Sequence, residues 1–201
     1  MPRQPRRFVE GLSAHVIHRG NNLCAIANDD DDRENLLLIL ETVARENGTA
    51  IHGYALMTTH IHLLATPQHT DALPKTMQEF GGRYVPYFNR RSTRVGTLWC
   101  GRYDAFLIES ERYWLNCLRY IDQNPLRAGM VTAPEDYRWS SYRAHAFGER
   151  CDWLTSHALY DSLGRTPDER QVTYRALCSR LVPKEDIVPP RKRVRRLSGN
   201  D

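Results

Sequence analysis

The residues best suited to chemistry fall in two short strings. The first is Thr59-His60-Ile61-His62-Leu63-Leu64, which spaces two imidazoles at i and i+2. In an extended strand such residues point to one face. His60 and His62 then project together, while Ile61 and Leu63 turn into a core. Two adjacent imidazoles can hold one divalent ion through a nitrogen each. The same spacing also suits two hydrogen-bonded histidines on a half-buried sheet. No HExxH string and no nearby cysteine completes a structural zinc tetrahedron, so a third ligand has to come from elsewhere in the chain. The second string runs from Glu111 to Asn124, where Tyr113, Asn116, Tyr120 and Asn124 recur at helical steps. Trp114, Cys117, Leu118 and Ile121 form an apolar stripe on the same segment. Tyr120 and Asn124 are neighbours at i and i+4, a phenol beside an amide oxygen that can ligate metal, which is one way to arrange a nucleophile and a ligand. Tyrosine at the border of an amphipathic helix, and asparagine before proline, are equally ordinary structural choices.

The elements that must carry these groups follow from periodicity. Ala14 to Arg19 reads as a short strand ended by Gly20-Asn21-Asn22. Asp29 to Asp32 precedes a helix from Arg33 to Gly48, with Leu36, Leu37, Leu40, Val43 and Ala44 at helical spacing. The acidic run is read as caps for the free N–H groups and a complement to the helix dipole, in preference to a metal site. Ala50 to Met57 and His60 to Thr66 read as two strands of a hairpin turned at Thr58-Thr59. Residues 71–91 return to helical spacing through Leu73, Met77, Phe80, Tyr84 and Phe88, and Gly81-Gly82 with Pro86 predict a kink or break there. Arg102 to Ile108 is a fourth strand. Ser110 caps the helix Glu111 to Asn124, and Pro125 is expected to end it. The order is β-α-β-β-α-β plus a further helix. It predicts an α+β fold, a ferredoxin-like antiparallel sheet with helices on one face and the tyrosine-bearing helix as an addition. Past residue 132 the pattern weakens. Leu159 to Leu163 and Gln171 to Leu181 read as short helices, and Pro183 onward as a basic, disordered tail. The expected division is a main domain over 8–148, a helical extension over 149–182 and the tail over 183–201.

Composition narrows the classes. The chain has 201 residues and a formal net charge of +4. No stretch approaches the roughly 18 apolar residues of a membrane span, and no apolar region follows Arg3, Arg6 and Arg7 as a secretory signal would require. Five cysteines without a CxxC argue against a disulfide framework and for a reducing, cytoplasmic setting. The cations cluster. Arg83, Arg90, Arg91 and Arg94, with Arg102, Arg119 and Arg127, fall around the two chemical strings. Arg191, Lys192, Arg193, Arg195 and Arg196 form a run at the C-terminus. Such clusters suit phosphate contacts. Tyr103, Trp139 and Tyr142 can stack on unpaired bases or serve as core; core packing is the commoner fate of such residues.

Five strings then occur in one order. They are His18-Arg19-Gly20-Asn21, Met57-Thr58-Thr59-His60-Ile61-His62, Gly96-Thr97-Leu98-Trp99 with Gly101-Arg102-Tyr103, Arg119-Tyr120-Ile121-Asp122-Gln123-Asn124-Pro125-Leu126-Arg127-Ala128-Gly129, and Trp139-Ser140-Ser141-Tyr142. Together they resemble the REP-associated tyrosine transposases of bacteria, within the wider HUH group of single-strand nucleases and transposases. The resemblance runs from about residue 8 to about 148. It implies a sequence-specific, metal-dependent endonuclease and strand transferase on a ferredoxin-like sheet, which joins one tyrosine to DNA through a 5′-phosphotyrosine bond and rejoins strands without ATP. By position, Tyr120 is the implied nucleophile and His60, His62 and Asn124 the implied ligands of Mg²⁺ or Mn²⁺. The implied partner is single-stranded DNA folded into REP-type palindromic hairpins, and the implied state a nucleoid-associated monomer, with a dimer the alternative. Thr58-Thr59 stands where Pro-Asn commonly precedes the first histidine, and Cys100 where Gln or Glu is usual. Neither change removes a proposed catalytic group. Two other functions stay open: a domesticated hairpin-binding regulator that does not cleave, and a replication-initiator or relaxase-type nuclease, which the short chain disfavours.

Overall fold

Side-chain alternation divides the central sheet into a dry face and a polar one, and that division determines where every helix goes. The computed structural model describes residues 8–183 and 186–187. Four strands, β1 (Ala14–Arg19), β2 (Thr49–Leu56), β3 (His60–Pro67) and β4 (Asp104–Leu107), pair antiparallel in the order β2-β3-β1-β4. On β1 and β3, Ala14, Val16, Ile61, Leu63 and Ala65 are buried in one apolar cluster. Their alternates His15, His60, His62 and Leu64 belong to the opposite face. Helices α1 (Asp30–Glu46) and α2 (Ala72–Arg91) cover the dry face with Leu36, Leu40, Val43, Leu73, Met77, Phe80, Tyr84 and Phe88. Each fully buried side chain of this kind contributes about 1.5–3 kcal/mol. Helix α3 (Glu111–Arg127) covers the other face, packing Trp114, Cys117, Leu118 and Ile121 on Ala55 and Leu64. The βαββαβ order and the shared face of the first two helices are as the sequence predicts, and the added helix makes a third layer.

Two prolines act differently from expectation. Helix α2 runs unbroken through Gly81, Gly82 and Pro86. Pro86 and Gly82, four residues before it, are both exposed, so the carbonyl that the proline leaves unpaired faces solvent, where water can take the lost bond. Helix α3 continues past Pro125 to Arg127. The proline removes one bond, to Ile121, while the carbonyls of Asn124, Pro125 and Leu126 are closed by the N–H groups of Ala128, Met130 and Gly129. Gly129 makes the turn at φ +67°. Helix α1 starts earlier than the apolar spacing suggests because the acidic run forms its first turn, with Asp29 as N-cap accepting from the Asp32 N–H. The fourth strand is shorter than expected. Past residue 132, Tyr142–Phe147 (α4), Ala158–Asp161 (α5) and Pro167–Cys178 (α6) are helical, and Thr166 with Glu169 forms a capping box for α6.

Strand β2 carries a bulge that the sequence does not announce. Ile51 pairs with Ala65 and Gly53 with Leu64, so His52 is the extra residue. The bulge puts His52 and Gly53 in succession under α3. A Cβ on Gly53 would lie 2.6 Å from Leu118 Cδ1, so any larger residue would force the Leu118 side chain to shift where the helix packs. His52 starts a hydrogen-bond chain whose polarity follows from its acceptor. Its Nδ1–H donates to the Thr155 carbonyl at 2.8 Å, leaving Nε2 to accept from the Thr66 hydroxyl at 2.8 Å. Thr66 in turn accepts from Ser13 at 2.6 Å, and Ser13 from Trp114 Nε1–H at 3.0 Å. Burial pushes the His52 imidazole down to about 4, against the opposing pull of the Thr155 carbonyl. Between about pH 6.5 and that value the unfolded chain binds a proton that the folded chain refuses, so stability is lost as pH falls through this window, by up to about 3 kcal/mol. The urea midpoint is expected to drop between pH 7 and pH 4, and His52→Gln to flatten that drop. An unchanged slope in the variant would assign the acid sensitivity to other buried histidines.

Candidate functional site

The polar face of the sheet and the polar side of α3 meet in a cleft of about 610 Å³, lined among others by His15, His60, Phe106, Tyr120, Asn124 and Arg127. The His60 and His62 rings project side by side, centroids 4.8 Å apart, and His62 is 2% exposed. The Tyr120 ring stands edge-on to His62 at 5.8 Å. Asn124 follows one helical turn later. Its amide nitrogen donates to the Tyr120 carbonyl at 3.0 Å, which leaves its carbonyl oxygen as the atom suited to an ion. The structure thus brings together Tyr120, His60, His62 and Asn124, the four residues singled out in the sequence.

The donor set fits a divalent cation. Burial, with the Arg19 charge adding to it, pushes His60 down to about 4. Burial also holds His62 well below the usual imidazole range. Both rings are neutral at pH 7, as ligands must be. Among the described residues no group of three or more His, Cys, Asp or Glu side chains gathers to hold an ion. Two imidazoles and an amide oxygen carry no charge of their own, so a bound Mg²⁺ or Mn²⁺ would keep its full charge for a phosphate.

Two residues at the site escaped sequence reasoning. His15 Nε2 lies 2.8 Å from His62 Nδ1, with the ring planes within 24° of each other. Arg19 pairs directly across from His60 in the β1–β3 register. The available signal was the alternation His15, Ile17, Arg19 on β1, which has meaning only once β1 is paired with β3.

The expected DNA-contacting cations divide sharply. Arg83 is held by Glu46 and Glu79, and Arg91 by Asp29, Asp31 and Asp32. Both pairings belong to the α1–α2 layer, across the sheet from the cleft. Arg90 is exposed at the end of α2, and Arg102 is exposed just before β4. Arg119 donates to Asn116 and to the Arg180 carbonyl. Arg127 donates to the Val182 carbonyl, and its guanidinium lies 5.4 Å from the Tyr120 ring centroid. Arg191, Lys192, Arg193, Arg195 and Arg196 lie outside the described residues. Tyr103, Trp139 and Tyr142 are buried in the core, so packing, not base stacking, occupies them.

Helix α3 is oriented by Asp122, which is fully buried behind Tyr120. Its carboxylate accepts from the Ser141 hydroxyl at 2.5 Å, the Tyr174 hydroxyl at 2.6 Å and His145 Nδ1–H at 2.9 Å. Ser141 in turn accepts from the Tyr54 N–H of β2. Ser141 of the WSSY string, with His145 of α4 and Tyr174 of α6, therefore builds a socket for the helix that carries the tyrosine. Asp122→Ala strands three buried donors and is expected to cost about 3 kcal/mol or more in urea denaturation. Asp122→Asn should cost nearly as much, because its amide NH₂ turns a donor towards donors. A near-neutral Asn variant would contradict this account.

Comparison with known proteins gives a family for the sequence and one solved structure of the same fold. A model of the family described as IS200-like transposases matches residues 8–124. No curated protein matches the sequence. A solved REP-associated tyrosine transposase, bound to a REP hairpin, is 15% identical, with a TM-score of 0.57 over 78% of this chain and 93% of its own. A candidate transposase from Deinococcus radiodurans R1 is 21% identical, with a TM-score of 0.41 over 67% of this chain and 97% of its own. Among the described residues no helix is long and apolar enough to cross a membrane.

Proposed function

The chain belongs to the IS200-like transposase family, and from that premise we propose that it is a metal-dependent endonuclease and strand transferase acting on single-stranded DNA. The observation that carries this reading is the convergence of Tyr120 with His60 and Asn124 in one cleft, over the buried His62. In the proposed reaction the Tyr120 oxygen attacks a backbone phosphorus. A new O–P bond forms as the bond to the 3′ oxygen breaks. The products are a 5′-phosphotyrosine and a free 3′-hydroxyl, and the phenol loses its proton. A phenolate is a reasonable leaving group, so the reverse attack by a 3′-hydroxyl rejoins strands without ATP.

Each residue of the chain has a stated part. His60, His62 and Asn124 would hold the ion. When bound, Mg²⁺ or Mn²⁺ supplies positive charge that polarises the scissile phosphate and stabilises the leaving oxygen. Asp122 and its socket hold α3 so that the Tyr120 ring stays beside the imidazoles. Arg19, exposed at the end of β1 opposite His60, is placed to meet the phosphate chain. We take the substrate to be a hairpin-forming strand of REP type, the kind of DNA bound in the solved relative, met as a monomer in the nucleoid. A partly buried tyrosine lining a cleft suits a strand that can bend into it, and a folded hairpin leaves such a strand unpaired at its foot.

Incubating the full chain with hairpin DNA carrying a 5′ single-stranded guide and Mn²⁺ should give a covalent protein–DNA adduct on a denaturing gel. Tyr120→Phe should abolish the adduct and leave hairpin affinity within about twofold. His60→Ala and His62→Ala should slow cleavage on the order of 10³-fold or more. An undiminished adduct in Tyr120→Phe removes the assigned nucleophile. Tight hairpin binding by the wild type with no cleavage would instead favour a DNA-binding regulator on the same scaffold.

A further inference from the structure

We propose that His15 is a positioning residue for the metal site: it accepts a hydrogen bond from His62 Nδ1–H and so commits the His62 Nε2 lone pair to the cation. The proposal rests on the reading that His60, His62 and Asn124 hold an ion. Its geometric basis is the 2.8 Å separation of His15 Nε2 and His62 Nδ1. The ring planes lie within 24° of each other with centroids 5.1 Å apart, the near-coplanar arrangement that an in-plane N–H···N bond requires, and their residues are 3% and 2% exposed. The contact is diagonal across two paired strands, because Ile17 is the direct partner of His62 and His15 lies two residues away. The sheet register therefore enforces it, not a flexible loop.

The consequence for His62 follows from its two nitrogens. Nδ1 is engaged by His15, so Nε2 is the only lone pair it can offer an ion. A neutral imidazole that coordinates through Nε2 must carry its proton on Nδ1. That proton then points at His15 Nε2, which has to be the acceptor, and His15 is left as the tautomer protonated on Nδ1. Hydrogen bonds of this kind orient a ligand ring and raise its basicity.

His60 differs in this respect. Its Nδ1 rests 3.1 Å from the hydroxyl of its chain neighbour Thr59, on a partly exposed turn and not against a buried ring. The rigid member of the pair is therefore His62, and His15 is what makes it rigid. The chemical type of the acceptor also matters. A carboxylate in that position would hold the ring equally well but would offset part of the ion's charge. An imidazole holds it without adding a negative charge, which leaves the cation's field for the phosphate.

The test is Mn²⁺ affinity, measured by titration calorimetry on the full chain and on His15→Leu and His15→Gln, with melting curves alongside. Leucine fills space but accepts nothing, and should weaken binding 10–100-fold. Glutamine places an amide oxygen at similar reach and should recover most of the loss, while both variants melt alike. Equal affinity in His15→Leu overturns the proposal, and so does an equal loss in both variants. Should His15→Leu fail to fold, ¹⁵N NMR of the Mg²⁺-saturated wild type decides. His15 protonated on Nδ1 supports the proposal, and a proton on its Nε2 overturns it. A wild-type chain that binds no Mn²⁺ would overturn the reading of the site itself, and this inference with it.

Discussion

A buried carboxylate determines how the tyrosine helix crosses the sheet. Asp122 has no contact with solvent and three donors aimed at it, from Ser141, His145 and Tyr174. A charge in a dry interior is tolerated only when its hydrogen-bonding capacity is filled, and here that requires two separate segments, α4 with its N-cap Ser141 and α6, to converge on α3. The requirement is stringent because the partners are not interchangeable. Ser141 also takes the Tyr54 N–H of β2, so the helix is keyed to one position along that strand. Gly53 beside it removes the side chain that would force Leu118 to shift. Rotating or sliding α3 by one residue would strand Asp122 in the apolar layer and carry Tyr120 and Asn124 out of the cleft together.

The strand side of the site obeys a simpler rule. Alternation puts Ile61 and Leu63 in the dry core and His60 and His62 opposite. Burial of the first pair therefore fixes where the second pair points. A slip of one residue in β3 would place two imidazoles among Phe80 and Leu40 and two aliphatic chains in the cleft. The hydrophobic layer built by α1 and α2 thus aims the histidines from the opposite face of the sheet. The arrangement of the proposed site here is a by-product of two independent packing problems, one on each face of the sheet.

That separation explains what the sequence disclosed and what it withheld. His60 with His62, and Tyr120 with Asn124, are local pairs, set by the periods of a strand and a helix, and a reader needs no tertiary information to find them. His15 and Arg19 are single residues whose meaning depends on the β1–β3 register, and register is not written in any short window. Pro86 and Pro125 misled for a related reason. A proline's cost depends on whether the carbonyl it orphans meets water or a capping N–H, and that is settled by exposure and by the next turn, not by the proline. The bulge at His52 was equally hidden, because an added residue leaves the composition of a strand unchanged. The overall order of elements was legible, since apolar periods of ten to twenty residues average over such local surprises.

The arginines of α3 show how far a residue type can be from its most obvious use. Arg119 and Arg127 flank the tyrosine in a way that suits phosphate binding, yet each donates to a backbone carbonyl, at Arg180 and Val182. Gln123 does the same towards Cys178 and Arg180 and accepts from the Val182 N–H. The three side chains together bind the segment that follows α6 as a strand edge would, by its main chain. That segment is insensitive to sequence in such contacts, but it delivers Leu181 to the cleft wall beside Tyr120. The cleft is therefore composed from distant parts of the chain: its imidazoles from the sheet, its phenol and amide from the helix, and part of its wall from residues more than fifty positions beyond. Charge retained by Arg127 over the Tyr120 ring still acts on whatever that phenol becomes, because a guanidinium that spends one N–H on a carbonyl keeps its full positive charge.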